Sequence, residues 1–129
     1  MTKKDYRILV VDDHPDVRES LARLLQHAGY QVETAEDGSH ALKAQAERPA
    51  HVLITDIFMP EHDGVEIITA FRQKFPATRV LAMSGDAPGS AKQDYLEVAE
   101  LVGADLTLRK PFPPEALLQK LEALLAPAA

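Results

Sequence analysis

Three short runs constrain the fold more than any other feature of the chain. RILVV (Arg7 to Val11), HVLIT (His51 to Thr55) and RVLAMS (Arg79 to Ser84) are apolar or β-branched at nearly every position instead of alternating. An alternating strand can leave one face in water, whereas a strand that is apolar throughout has to be covered on both. Helical spacing follows each run. Val17, Leu21, Leu24, Leu25 and Ala28 lie on one helical face, with Pro15 suited to the first turn and Gly29 to the position just past the end. YQVETA (Tyr30 to Ala35) alternates and predicts a second strand exposed on one side, and the helix behind Asp37 and Gly38 turns Ala41, Leu42 and Ala46 inward. Asp63 and Glu66 form a capping-box-like start to a helix carrying Ile67, Ile68, Phe71 and Phe75, which Pro76 stops. A polar stretch, Gly85 to Lys92, leads to a helix with Leu96, Ala99 and Val102, closed by Gly103. LTL (Leu106 to Leu108) is a short fifth strand, and Leu117, Leu118, Leu121, Leu124 and Leu125 line the last helix. The expected class is α/β: a doubly wound, five-stranded parallel sheet with five helices, since parallel strands need long right-handed crossovers.

With 129 residues and no linker or internal repeat, the chain is expected to form one domain over 1–129, ordered from about 5 to 126, with no output domain. The formal net charge of −6, without a cluster of Lys and Arg among aromatics, argues against nucleic-acid binding, which needs a positive face. The absence of cysteine excludes disulfides and thiolate metal sites and is compatible with the cytosol. Lys3, Lys4 and Arg7 precede only Ile8 to Val11 before Asp12 interrupts, too short for a signal-peptide core, and no stretch approaches membrane-spanning length. A soluble, cytoplasmic protein with no membrane partner is the expectation.

In an open parallel sheet, ligands sit beyond the carboxyl ends of the strands. There the first strand delivers Asp12 and Asp13, the third Asp56, the fourth Ser84, and the fifth leads to Lys110. Three carboxylates on one edge repel one another, and a hard divalent cation, Mg²⁺, relieves them where one lysine cannot. The middle carboxylate is then placed to attack a phosphorus atom, with the metal and Lys110 on the oxygens that gather charge and Ser84 donating a hydrogen bond. The set fits reversible formation of an aspartyl phosphate. Each feature alone is weaker. An Asp-Asp pair is commonly a solvated turn or cap, Lys110-Pro111 a loop, and Asp63-Gly64 a turn with a helix cap. The five histidines show no metal-ligand spacing, and His14 and His62, near the site, read as surface residues.

VVDDHPDVR (Val10 to Arg18), DIFMPEHDG (Asp56 to Gly64), MSGD (Met83 to Asp86) and LRKPF (Leu108 to Phe112) stand in the order and positions of the response-regulator receiver domain of two-component signalling, which the chain resembles over essentially its whole length. The resemblance implies a flavodoxin-like (βα)5 fold and a signalling switch rather than an enzyme. It makes Asp56 the phosphoacceptor, with Asp13 and Asp56 as direct Mg²⁺ ligands and Asp12 supporting the ion through water. The carbonyl of Phe58 completes the protein ligands. It also makes Ser84 the switch hydroxyl, gives Lys110 a contact to the phosphoryl group, and predicts a cis peptide bond before Pro111. The implied upstream partner is a sensor histidine kinase or a phosphotransfer protein. Downstream, an unknown protein would dock on the face of the last two helices and the fifth strand, or the phosphoryl group would be passed onward. In one departure, Thr107 stands where the family usually has an aromatic that turns inward. In another, the segment between Ser84 and Lys110 is longer than usual, so Tyr95 or the Gly85 to Lys92 loop is expected to carry the signal.

Two other classes stay open from the residues. A Mg²⁺-dependent phosphohydrolase working through an aspartyl phosphate would need a second carboxylate two residues past Asp56, where Phe58 stands. An unphosphorylated interaction module would leave the acidic site without chemistry. A nucleotide-binding domain is disfavoured because Asp-Asp-His-Pro, not a glycine-rich loop, follows the first strand.

Overall fold

The computed structural model describes residues 2–57, 64–84 and 99–126. Each apolar run forms a strand: β1 Arg7–Val11, β3 Val52–Asp56 and β4 Arg79–Ser84, buried at nearly every position. They make the centre of a five-stranded sheet ordered β2-β1-β3-β4-β5, with β2 Gln31–Ala35 and β5 Leu106–Arg109 at its edges. Every pairing is parallel. A short 3-10 turn, Lys3–Asp5, leads into β1.

Successive side chains of a strand leave on opposite faces, so each central strand serves two cores. Ile8, Val10, Ile54, Leu81 and Met83 pack on one side with Leu21 and Leu25 of α1 (Pro15–His27) and Leu117 and Leu121 of α5 (Pro114–Leu125). Leu9, Val11, Leu53, Val80 and Ala82 pack on the other with Ala41 of α2 (Gly38–Glu47), Ile67, Ile68 and Phe71 of α3 (Gly64–Lys74), and Ala99. Ala99 is the first of the described helical residues 99–102, here called α4. This is the doubly wound, flavodoxin-like (βα)5 arrangement expected from the apolar runs. Among the described residues, no helix is long and apolar enough to cross a membrane.

Local chemistry sets the boundaries. Gly29 takes φ +110°, and Gly29 and Tyr30 donate back to the carbonyls of Gln26 and Leu25 at 3.0 and 3.1 Å, ending α1 where a side chain would be strained. Asp37 caps α2 by accepting from the His40 amide at 2.8 Å.

Two expectations need correction. Ala46 faces solvent, and the inward residue is Gln45, 1% exposed. Its amide donates to the Thr78 hydroxyl at 2.8 Å and accepts from the Ala50 amide at 2.9 Å, while Thr78 donates to the Ala50 carbonyl at 3.0 Å. A satisfied polar group replaces the expected methyl at the floor of the sheet, the end where β1, β3 and β4 begin. In β2 the alternation is imperfect, because Glu33 is drawn down by Arg7 (2.6 Å) and is only partly exposed. The Asp63 half of the capping box, Leu96, Tyr95 and the Gly85 to Lys92 stretch lie outside the described residues.

Candidate functional site

The order β2-β1-β3 reverses the winding of the chain between β1 and β3, and the rim above that crevice is where open parallel sheets bind ligands. Asp12 follows β1 directly, its amide bonded to the Ala35 carbonyl of β2 at 3.3 Å, and its side chain is fully buried. Asp13, next along, is partly exposed. Asp56 is the last residue of β3, paired with Met83 of β4, and is 5% exposed. Ser84 ends β4 and is fully buried, its carbonyl accepting from the Lys110 amide at 2.8 Å. Lys110 follows β5 and precedes Pro111 through the expected cis peptide bond. The sheet therefore brings Asp12, Asp13, Asp56, Ser84 and Lys110 to one edge. Phe58, the expected carbonyl ligand, lies outside the described residues, as does His62.

Lys110 is the electrostatic hub of this edge. Its Nζ donates to Asp56 Oδ2 at 2.8 Å and stands 3.5 Å from Asp12 Oδ2. Burial works against the ammonium, but the hydrogen bond and charge of Asp56, with the charge of Asp12, outweigh it and hold its pKa above the ordinary lysine value. The acidic side is less settled. Asp12 Oδ1 accepts from the His14 amide at 2.9 Å, but the buried Asp12 Oδ2 and Asp13 Oδ1 have only the Lys110 ammonium at 3.5 Å and the His14 ring at 3.0 Å beside them. Three carboxylates gathered around one ammonium repel one another, and an acidic set of this kind suits a hard divalent cation with oxygen ligands.

Two contacts were not legible as site features. His14, read as a surface residue, turns its ring back onto the carboxylates, with Nδ1 3.0 Å from Asp13 Oδ1 and 3.3 Å from Asp12 Oδ1. The available signal was adjacency in the chain, three potential ligands in consecutive positions. Arg18, one turn into α1, donates to the Asp12 carbonyl at 2.8 Å and fixes the backbone of the buried carboxylate. Gly64 opens α3 against β3: a Cβ there would lie 2.4 Å from Ile57 Cα and 2.5 Å from the Asp56 carbonyl oxygen. The helix start can approach the end of β3 this closely only without a side chain.

Fold and rim together define a doubly wound α/β module with an acidic cluster at its switch point. A family model described as the response regulator receiver domain matches residues 8–122. The chain belongs to that family, whose members act as phosphorelay signalling switches rather than enzymes in the usual sense. It is 40% identical over 119 residues to the response regulator MprA of Mycobacterium sp. (strain KMS), covering 92% of this chain and 50% of that protein. The chain thus spans about half the length of the curated relatives it matches. Among solved structures it is similar to the chemotaxis protein CheY4 of Vibrio cholerae, with TM-score 0.81 and 35% identity over 93% of this chain and 98% of that one. It is also similar to the receiver domain of NtrX from Brucella abortus, with TM-score 0.86 and 28% identity over 94% and 99%.

Proposed function

We propose that this protein is a phosphoacceptor switch in which Asp56 takes a phosphoryl group from the phosphohistidine of a sensor histidine kinase or phosphotransfer protein. One observation carries the reading: a buried carboxylate at the end of the central strand, held at 2.8 Å by an ammonium that also faces Asp12. In the transfer, an Asp56 oxygen forms a bond to phosphorus as the phosphorus–nitrogen bond breaks, and the donor imidazole keeps the electron pair. Lys110 moves from neutralising Asp56 to neutralising the phosphoryl oxygens, and the Ser84 hydroxyl donates to one of them. Asp12, Asp13 and Asp56, with the Phe58 carbonyl, would hold Mg²⁺; when bound, the ion supplies positive charge at the oxygens that gather negative charge. The crowding of Asp12, Asp13 and Asp56 at one edge with a single ammonium supports this assignment.

The output is a change in partner binding or onward transfer of the phosphoryl group. The partner face is α4, β5 and α5, where Leu101 stands 85% exposed, an apolar side chain suited to a protein contact. Thr107, partly buried beside Ala82, offers no aromatic to turn inward, so Tyr95 or the Gly85 to Lys92 loop conveys the signal. Structures with and without a phosphoryl mimic test that route, and an unmoved Tyr95 and loop would end it. The chain is assigned to the cytoplasm, where such kinases present their phosphohistidine.

The central experiment is incubation with acetyl phosphate and millimolar Mg²⁺, followed by intact mass. One added phosphoryl group is expected, absent without Mg²⁺ and absent in Asp56→Asn. No labelling under any phosphodonor would leave an unphosphorylated interaction module, and sustained turnover of a phosphoester that depends on Asp56 would make the protein a hydrolase.

A further inference from the structure

We propose that the floor of the sheet holds a second binding site, at the opposite end of the strands from Asp56, and that it takes a small organic anion: a carboxylate on a flat apolar body. A cavity of about 430 Å³ opens there between the strand starts and the last turn of α5. That volume falls within the roughly 300–1,000 Å³ of small-molecule sites. Tyr6 leads into β1, His51 into β3, and Arg79 begins β4, so the three stand on neighbouring strands of one wall. Ladder bonds fix their register. The His51 amide donates to the Arg7 carbonyl at 2.8 Å, and the Arg79 amide donates to the His51 carbonyl at 2.9 Å.

The polar side chains of this wall are donors with no acceptor to meet. His51 Nδ1 accepts from the Arg7 amide at 3.0 Å, so the neutral ring carries its proton on Nε2. An edge-on contact with Tyr6, centroids 5.1 Å apart, steadies that ring. Arg79 gives one guanidinium nitrogen to the Leu124 carbonyl and so covers an acceptor at the end of α5. Among the described residues, its other two guanidinium nitrogens, His51 Nε2 and the Tyr6 hydroxyl have no hydrogen-bond partner. Thr78 differs, because its hydroxyl already donates to the Ala50 carbonyl and accepts from Gln45.

Charge narrows the ligand class. The chain carries a net −6, yet no carboxylate lines this cavity, and Arg79 brings a fixed positive charge to it. An anionic group rich in acceptors answers the donors, and Leu124 and Leu125, with alanine and proline around them, offer an apolar surface to its body. An uncharged apolar molecule would strip water from the donors without replacing it, and inorganic phosphate would leave the apolar wall unused. The floor shares β3 and β4 with the edge that carries Asp56 and Ser84 but none of its side chains, so this site is independent of the chemistry proposed for Asp56.

The test is nuclear magnetic resonance titration of the full chain with naphthoate and with naphthylmethanol, which has the same rings and no charge. Saturable shifts are expected at His51, Arg79 and Leu125 and not at Asp12 or Lys110, with the alcohol at least about fivefold weaker than the acid. Arg79→Gln is expected to bring naphthoate down to the affinity of the alcohol. The comparison of acid with alcohol on the wild type needs no variant, and it holds even if Arg79→Gln loosens the end of α5. No saturable shift at the floor, equal affinity for acid and alcohol, shifts centred on Lys110, or undiminished binding in a folded Arg79→Gln would each overturn the proposal.

Discussion

Lys110 serves two carboxylates at once, bonded to Asp56 and within ion-pair distance of Asp12. On the proposed chemistry, removing the ammonium takes away a donor aimed at the oxygens that gather charge, so Lys110→Ala should slow labelling of Asp56 by acetyl phosphate by roughly 100-fold. A rate within a few-fold of wild type would strip Lys110 of that part. Gly64 makes a separate prediction about packing. The atoms its missing Cβ would meet are backbone, so Gly64→Ala should destabilise the fold by about 1–3 kcal/mol in chemical denaturation. At this scale much was legible: Asp12, Asp13, Asp56, Ser84 and Lys110 could be placed because each ends a strand or follows one, and strand ends in a parallel sheet share an edge. His14 and Arg18 were not. Their contacts depend on how the first turn of α1 folds back, which spacing along the chain does not encode.

The elements show where side-chain chemistry overrides pattern. In α2, the helical period placed Ala46 inside, but Gln45 is buried because it satisfies Thr78 and the Ala50 backbone. Gln45→Ala leaves a buried amide and hydroxyl short of partners and should lower stability by about 1–3 kcal/mol, measured by thermal or urea unfolding. The start of the same helix is sensitive to pH. The hydrogen bond that Asp37 accepts from the His40 ring, then the carboxylate's charge, raises the His40 pKa above its ordinary 6.5. A group raised in the folded state contributes stability that is fully present below its unfolded value and lost as pH rises through the folded one. Helix α2 is therefore held more firmly in mildly acidic solution, and nuclear magnetic resonance titration of His40 should return to an ordinary midpoint in Asp37→Ala. An unshifted midpoint in the wild type would dismiss this coupling. Strand β4 could be read to the residue from its apolar run. The edges were harder, because an exposed strand such as β2 is shaped by contacts like that of Arg7 with Glu33, which come from a neighbouring strand.

Across the whole molecule, the three strands that carry both cores should open last. Amide hydrogen exchange is expected to be slowest in β1, β3 and β4 and faster in β2 and β5. Comparable protection at the edges would mean that the sheet opens as one unit. The parallel layout was legible because apolar runs at three positions cannot be met by an antiparallel sheet with a wet face. The floor of the sheet, however, came only from the structure. There the Gln45, Thr78 and Ala50 bonds lie near the edge-on stack of Tyr6 on His51, and the Arg7 amide donates to the His51 ring. The two ends of the domain thus differ in construction: the floor joins these neutral bonds to a balanced Arg72–Asp105 ion pair, and the rim sets three carboxylates beside one ammonium. On the proposed chemistry, a phosphoryl group adds negative charge at the end where Lys110 is already shared between two carboxylates, and the floor keeps its bonds whichever state the rim is in.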